Sequence, residues 1–328
     1  MSTREVFQGL LGTEKDVLPC PIPAFWGWEA ILVNAFSPQD TVVCIVTGEM
    51  SERWARMAEI LGLSVVRLGG RGYGTPAAQD LNLLLLTDVG KRIRGVLAVH
   101  VEEKNGAWVD LEALGEVCHQ KGLFFAVDVS VSLGIFPLAL DRFFVDAAVA
   151  RIQDTPEFSL LVLGKNIREK ASESRFLRYS LAVENVGEAF GEYPISSSLL
   201  ERFEALYRRG IENVWRRRLY LARLFRRGAR ALGCVVGGEE MAFPSVSLLV
   251  LPSGVKREWV IAFLQRESLV AGEVPERKDT LFVCHGESLS VSEIVEILFL
   301  LGKALEESGQ KVDIASIFSH LWEVKEDG

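Results

Sequence analysis

The sequence is poor in the features that mark several classes of protein. Its five cysteines are scattered without a CxxC pair, which argues against a disulfide framework or a zinc site and favours buried thiols in a reducing cytoplasm. Its four histidines have no metal-ligand spacing, so we expect no metal. No apolar run approaches the roughly 18 to 20 residues of a membrane helix, and the opening MSTREVFQ lacks an apolar signal region. We therefore expect a cytoplasmic protein with no membrane partner.

An excess of acidic residues argues against nucleic acid as a partner. The chain has 44 acidic and 36 basic residues and a net charge of −8, whereas nucleic-acid-binding domains are typically basic. Arginines between residues 208 and 227 alternate with leucine and phenylalanine, which favours a solvated or interface face. With 49% hydrophobic residues and a mean hydropathy of +0.21, the chain must bury apolar surface in a large core or against another subunit.

The first half of the chain alternates short β-rich runs with helical patterns. Helices are predicted at Ser51–Leu61 and Asp110–Lys121, the second with an acidic residue at its start and Gly122 at its end. Such alternation predicts an α/β fold with a mainly parallel sheet between helices. The predicted strands are Thr41–Val46, Ser64–Leu68, Gly95–His100, Leu123–Val127, Ala147–Ala150 and Ser159–Leu163.

The second half has a different pattern. Residues 69–76 hold four glycines and predict a loop, and the charged stretch 166–178 predicts a linker or surface excursion. A long helix is predicted over Ser197–Leu232, followed by two strands and two helices of a smaller α+β domain. We therefore predict a large α/β domain over residues 1–190, and over residues 191–328 a connecting helix with a small C-terminal domain.

Two polar residues end predicted strands, where ligands gather in doubly wound sheets. Asp128 closes the strand in FAVDVSVSLG, and His100 closes the one in LAVHVEEKNG. Asp128 is as compatible with a cap on the following turn as with chemistry, and a lone histidine such as His100 is more often structural. No GxSxG, HExxH, P-loop or GxGxxG motif accompanies them.

Three segments together resemble the class V aminotransferases, the alanine–glyoxylate and serine–pyruvate type of fold type I pyridoxal-phosphate enzymes. The resemblance implies a PLP-dependent transferase fold with a smaller C-terminal domain, an N-terminus shorter than is usual in the family, and a homodimer with shared active sites. The segments are WGWEAILVNAFSPQDTVVCIVTGEMSERWARMAEILGLSVVRL, LAVHVEEKNGAWVDLEALGEVCHQKGLFFAVDVSVSLGIFPLALDRFFVDAAVA and SSLLERFEALYRRGIENVWRRRLYLARLFRRGARALG.

The catalytic lysine of the family is missing from the matching segment. Family members carry Ser-x-Gln-Lys, whereas this chain reads ARIQDTPEF, with Gln153 kept and Asp154 at the lysine position. A carboxylate cannot form the imine that anchors the cofactor. Lys165 lies beyond another predicted strand, so we do not expect it to substitute.

The phosphate-binding turn differs too. In the family a Gly-Ser-Gly-Thr turn opens a helix, where backbone N–H groups bind the phosphate. Here Ile22, Pro23 and Ala24 lie near those positions, and proline has no N–H to donate. Trp26 and Trp28 are expected to fill space that a ligand needs.

Further positions depart from the family. Glu102–Lys104 lies where the family has small hydroxyl residues after the histidine. Val283 replaces the arginine that binds the substrate carboxylate in the family. Met50 replaces an aromatic residue that often stacks on the cofactor ring. The usual partner of the pyridine nitrogen is retained with two hydroxyl neighbours, as Asp128, Ser130 and Ser132.

These departures predict a degenerate member of the family, a pseudoenzyme with a binding, regulatory or subunit-stabilising role and no cofactor. The vestigial cofactor-binding set is Asp128, His100, Gln153 and Ser130. An alternative is an enzyme that binds pyridoxal or pyridoxamine phosphate noncovalently on Asp128, with Asp154 as general base. A third hypothesis is a heteromer with a catalytically complete relative.

Overall fold

The computed structural model divides into two compact units. The first comprises Met1–Glu102 and Trp108–Val214, and the second comprises Glu103–Ala107 and Trp215–Gly328. The structure describes residues 2–69, 76–88, 90–152, 155–178, 180–182, 184–186, 195–237, 243–267, 269–274, 279–285, 290–313 and 315.

A seven-stranded sheet forms the centre of the first unit, in the order β1-β7-β6-β5-β4-β2-β3. Strands β2 to β6 are parallel, whereas β7 runs antiparallel to both β6 and β1. The strands are β1 (Asp16–Cys20), β2 (Thr41–Val46), β3 (Ser64–Gly69), β4 (Ile93–Val99), β5 (Phe124–Asp128), β6 (Ala147–Ile152) and β7 (Thr155–Leu163).

Helices cover both faces of this sheet. The described helices of the first unit are α1 (Thr3–Leu11), α2 (Ala24–Ala35), α3 (Glu49–Ile60), α4 (Ala78–Thr87), α5 (Leu111–Lys121), α6 (Lys165–Glu173) and α7 (Ser197–Arg209). One apolar core takes side chains from α2, α3 and α6, including Ile31, Trp54 and Ile167. The other takes side chains from α1, α4, α5 and α7, including Phe7 and Phe203. The predicted α/β fold with a mainly parallel sheet is confirmed.

Local signals explain where several helices begin and end. Ser2 and Glu5 form a reciprocal capping box at the start of α1, and Gly12 ends that helix in the left-handed conformation. The side chain of Asp110 accepts a hydrogen bond from the backbone N–H of Ala113, and Gly122 ends α5 in the same left-handed way. These are the bounds that the pattern predicted for α5.

Two predictions of local structure are wrong. The stretch 166–178 was expected to be a linker or surface excursion, but α6 forms over Lys165–Glu173 because Ile167 and Ala171, one turn apart, are buried in the core. The single long helix expected over Ser197–Leu232 is broken at Gly210, whose φ of 81° lies outside the helical region. The second piece is α8 (Ile211–Ala231). Of the predicted loop 69–76, residues 70–75 lie outside the described residues.

The second unit contains a four-stranded sheet in the order β10-β11-β9-β8. Its described strands are β8 (Val235–Gly237), β9 (Val246–Val250), β10 (Ala271–Glu273) and β11 (Thr280–Cys284), and its helices are α9 (Arg257–Arg266) and α10 (Val291–Glu307). Most of α8 belongs here, since Leu224 and Phe225 pack with Leu298 of α10 in one core.

None of the described helices is both long and apolar enough to cross a membrane.

Candidate functional site

The carboxyl ends of β4 and β5 bring the predicted site residues together. Val99 lies opposite Asp128 in the parallel register of the two strands, and the backbone N–H of His100 donates to the carbonyl oxygen of Asp128 at 2.8 Å. Because ligands of such sheets bind beyond the carboxyl ends of the strands, this edge is the candidate site.

Both carboxylate oxygens of Asp128 accept hydrogen bonds from the chain itself. The indole Nε1–H of Trp28 donates to Oδ2 at 2.6 Å, and the backbone N–H of Ser130 donates to Oδ1 at 2.8 Å. The side chain is buried, with 1% of its surface exposed. Burial raises the pKa of Asp128 above its usual value, and the hydrogen bonds from Ser130 and Trp28 only partly oppose that shift.

Trp28 is fixed against Asp128 by its packing. Its ring stacks on that of Trp54, with centroids 5.4 Å apart and planes 15° from parallel. Helix α2 also lies close to the sheet at the preceding residue, where a Cβ on Gly27 would come within 2.9 Å of the Val149 side chain. Trp28 therefore occupies the space beside the aspartate.

The first turn of α2 has no side-chain cap. Pro23 is its N-cap residue and makes no side-chain hydrogen bond there, in contrast to the small hydroxyl residues of the family pattern. Phe25 and Trp26 point outward, 50% and 44% exposed. Trp26 thus lies largely outside the apolar core, and its filling of space that a ligand needs stays a prediction.

His100 is part of a buried aromatic cluster. Its Nδ1 lies 2.8 Å from the Oγ of Ser132, and the edge of its ring contacts Phe136 at a centroid distance of 4.9 Å. Burial lowers the pKa of His100 to about 3, so the imidazole is neutral at physiological pH. A neutral histidine in this environment can orient neighbouring groups but carries no charge for a ligand.

Glu102 was not among the predicted site residues, yet it caps α3. Its Oε1 accepts hydrogen bonds from the backbone N–H of Ser51 at 2.9 Å and from the Ser51 hydroxyl at 2.5 Å. Its Oε2 accepts one from the backbone N–H of Met50 at 2.9 Å. Burial raises the pKa of Glu102 despite these bonds. The carboxylate thus satisfies a helix N-terminus that would otherwise attract an external anion.

The remaining residues singled out from the sequence lie at different places relative to this site. The Oγ of Ser130 accepts a hydrogen bond from the backbone N–H of Arg151 at 2.8 Å. Gln153 and Asp154 lie outside the described residues. Lys165 follows the end of β7 that pairs with the first residue of β6, so it lies at the sheet edge opposite Asp128. The expectation that Lys165 does not replace the missing lysine agrees with this placement.

The described residues hold no group of three or more histidine, cysteine or acidic side chains suited to a metal ion. Asp128, Ser130, His100 and Ser132 lie together, and the chain's own donors already engage them. In the described part of the site, these groups hold one another in place.

A family model and individual relatives of known activity point to the same family. A model of the aminotransferase class-V family matches residues 28–152. The chain is 28% identical over 269 residues to the L-aspartate–glyoxylate aminotransferase of Paracoccus denitrificans, covering 76% of this chain and 67% of that enzyme. It is 26% identical over 282 residues to the serine–glyoxylate aminotransferase of Methylorubrum extorquens, covering 79% of this chain and 69% of that one.

A solved structure agrees on the fold. The ureidoglycine–glyoxylate aminotransferase of Bacillus subtilis superposes with a TM-score of 0.87 at 18% identity, covering 98% of this chain and 88% of that one. The comparisons favour a cofactor at the family level, since the family depends on pyridoxal phosphate. They give no support to the expectation that this chain binds none.

The residues at Asp128 do not fit that cofactor. A pyridine nitrogen on this aspartate would need the place that the Trp28 Nε1–H occupies at 2.6 Å, and the stacked ring of Trp54 holds Trp28 there. At the start of α2, Pro23 stands where the family has a small residue of the phosphate-binding turn. The site geometry and the family's cofactor therefore disagree.

Proposed function

The chain belongs to the class V aminotransferase family, and from this premise we propose that it keeps the family's fold without the pyridoxal-phosphate chemistry. It acts by binding, in a regulatory or subunit-stabilising role. The observation that carries the proposal is the hydrogen bond from Trp28 to Asp128, buried and 2.6 Å long.

Independent positions support the same conclusion. Asp154 stands at the lysine position of the family motif, and Val283 stands where the substrate-binding arginine is expected. Noncovalent binding of the cofactor on Asp128 would first require displacing Trp28 from a stacked, buried position. We therefore prefer a binding role to an enzyme with lysine-independent chemistry.

The proposed assembly is a homodimer, as the family resemblance implies. A fold kept for its buried surfaces retains the ability to pair with a copy of itself or with a catalytically complete relative. In the second case the chain stabilises an active subunit, because family active sites are shared across the interface.

Borohydride trapping tests the loss of cofactor chemistry. The purified chain is incubated with pyridoxal phosphate, reduced with borohydride, digested and analysed by mass spectrometry. We expect only the low, scattered labelling of surface lysines that the urea-unfolded chain also gives. No transfer of the amino group of L-aspartate or L-serine to glyoxylate should be measurable.

The Paracoccus relative, treated in parallel, is the positive control for both assays. A stoichiometric adduct on a single lysine of this chain, present when it is folded and absent when it is unfolded, would contradict the proposal. Amino transfer above the protein-free rate would contradict it as well.

A further inference from the structure

A cavity of about 560 Å³ lies in the first unit and is lined in part by His100, but not by Trp28 or Asp128. Its walls come from α1, the first turn of α5, the segment 136–143 and the junction between α7 and α8. Its size is in the range of small-molecule sites. Nothing in the function proposed above uses it.

Aromatic rings form one wall of this cavity. Trp108 and Phe136 are half-buried, with ring centroids 6.0 Å apart, and each forms a T-shaped contact with the ring of His100. Tyr207 of α7 also lines the cavity and is 42% exposed. Electron-rich ring faces that line a cavity attract organic cations.

The charges at the cavity favour the same class of ligand. Three carboxylates line it, from Asp110, Glu112 and Glu212, against one guanidinium from Arg142. Arg142 is engaged with Glu112 at 3.1 Å. Asp110 and Glu212 lie at the N-termini of α5 and α8. Each of these helix ends carries roughly half a positive charge. When the three carboxylates, the guanidinium and the two helix ends are added together, the cavity has a net charge of about −1.

We propose that this cavity binds a small organic ammonium ion with an apolar body. The aromatic wall of Trp108 and Phe136 contacts the body of the ligand and one face of the cation. Glu212 supplies the carboxylate, because Glu112 is paired with Arg142 and Asp110 caps α5 through Oδ1. The inference goes beyond the proposed function and is independent of whether the chain binds pyridoxal phosphate.

Three probes of similar size and different charge distinguish the contribution of charge to binding from that of apolar contact. 2-Phenylethylamine is a cation at neutral pH, 2-phenylethanol is its neutral counterpart, and 3-phenylpropionate is an anion of similar size. Titration calorimetry on the full chain should show the amine binding about tenfold more tightly than the alcohol, since only the charged probe gains a cation–π contact and a carboxylate partner. The anion should not bind measurably.

Variants locate the binding. Glu212→Gln should weaken the amine about threefold and leave the alcohol unchanged, since it removes only the charge. Trp108→Leu should weaken both probes about fivefold or more. Glu258→Gln and Trp259→Leu, matched changes at exposed or half-exposed positions of α9, should change neither affinity.

The decisive variant is Glu212→Gln, because Glu212 is exposed and its replacement leaves the core intact. Equal affinity for amine and alcohol would overturn the proposal, as would equal effects of Glu212→Gln and Glu258→Gln. Absence of binding by all three probes at millimolar concentration would overturn it too. Thermal melting of each variant checks that a lost affinity is not a lost fold.

Discussion

At Asp128 the indole N–H of Trp28 donates to the carboxylate that the family resemblance assigns to the pyridine nitrogen of the cofactor. The sequence predicted that Trp28 would fill space that a ligand needs, but not that its indole N–H would donate to the carboxylate of Asp128. The two residues are 100 positions apart, and no local pattern encodes the angle at which α2 packs on the sheet. The position of Asp128 at a strand end, by contrast, could be predicted because strand bounds follow the apolar run.

Replacing Trp28 with phenylalanine should destabilise the protein by about 1 to 3 kcal/mol, because the buried carboxylate of Asp128 loses the indole donor to its Oδ2. Trp26→Phe is the matched control and should change the free energy of unfolding by less than about 0.5 kcal/mol, since Trp26 is largely exposed. Urea unfolding followed by far-UV circular dichroism measures both. Equal stability of the two variants would show that the indole N–H contributes nothing.

The stability contributed by Asp128 should depend on pH in a defined direction. Burial raises the pKa of this carboxyl in the folded chain, so the folded state binds the proton more tightly than the unfolded state does. The resulting stability is fully present below the unfolded pKa of about 4 and is lost as pH rises through the folded value.

Relative to Asp128→Asn, the natural chain should therefore lose free energy of unfolding as pH rises from about 4 towards neutrality. Urea unfolding curves of both proteins across this range measure the difference. Glu116→Gln, at an exposed position of α5, serves as the charge-matched control. A difference that stays constant or grows with pH would contradict the assigned direction.

At the scale of elements, the parallel strands and most helices could be predicted, whereas pairing direction and helix breaks could not. Strands β2, β4, β5 and β6 are mostly apolar and buried, which is typical of a parallel sheet covered on both faces, whereas the edge strand β3 has no buried residue. Strand β7 follows β6 after two residues and pairs antiparallel with it. Its pairing with β1 joins strands about 140 residues apart, and no local pattern predicts that pairing. The break at Gly210 was hidden because the apolar pattern continues on both sides of it.

Helix α3 should depend on the side chain of Glu102. Glu102→Ala removes the acceptor for two backbone N–H groups and the Ser51 hydroxyl, and we expect a loss of about 1 to 3 kcal/mol. Glu102→Gln keeps one oxygen acceptor and should lose less. Hydrogen exchange at Met50 and Ser51 should quicken in the alanine variant. Exchange no faster than in Glu116→Ala would rule out the cap.

At the scale of the whole molecule, the apolar composition is largely explained by burial on both faces of the large sheet and in the core of the second unit. Large apolar side chains nevertheless remain exposed in the single chain, among them Ile60 at 86% and Leu86 at 72%. The sequence predicted a surplus for a core or a subunit interface, and composition alone cannot divide it between the two.

The proposed homodimer makes a measurable prediction. Light scattering on the purified chain at micromolar concentration should give twice the mass of one chain, without a partner protein. A monomer under these conditions would contradict the homodimer. If a full-length class V relative then restored a dimer of mixed composition, the heteromer would replace it.

The hydrogen bond between Trp28 and Asp128 also changes what the aspartate signifies in a sequence. Under the proposed function, the aspartate serves the packing of α2 on the sheet through its hydrogen bond with the Trp28 indole. An acidic residue at this strand end is then as much a sign of folding as of transaminase chemistry. A sequence survey that infers activity from this residue alone would not distinguish the two roles.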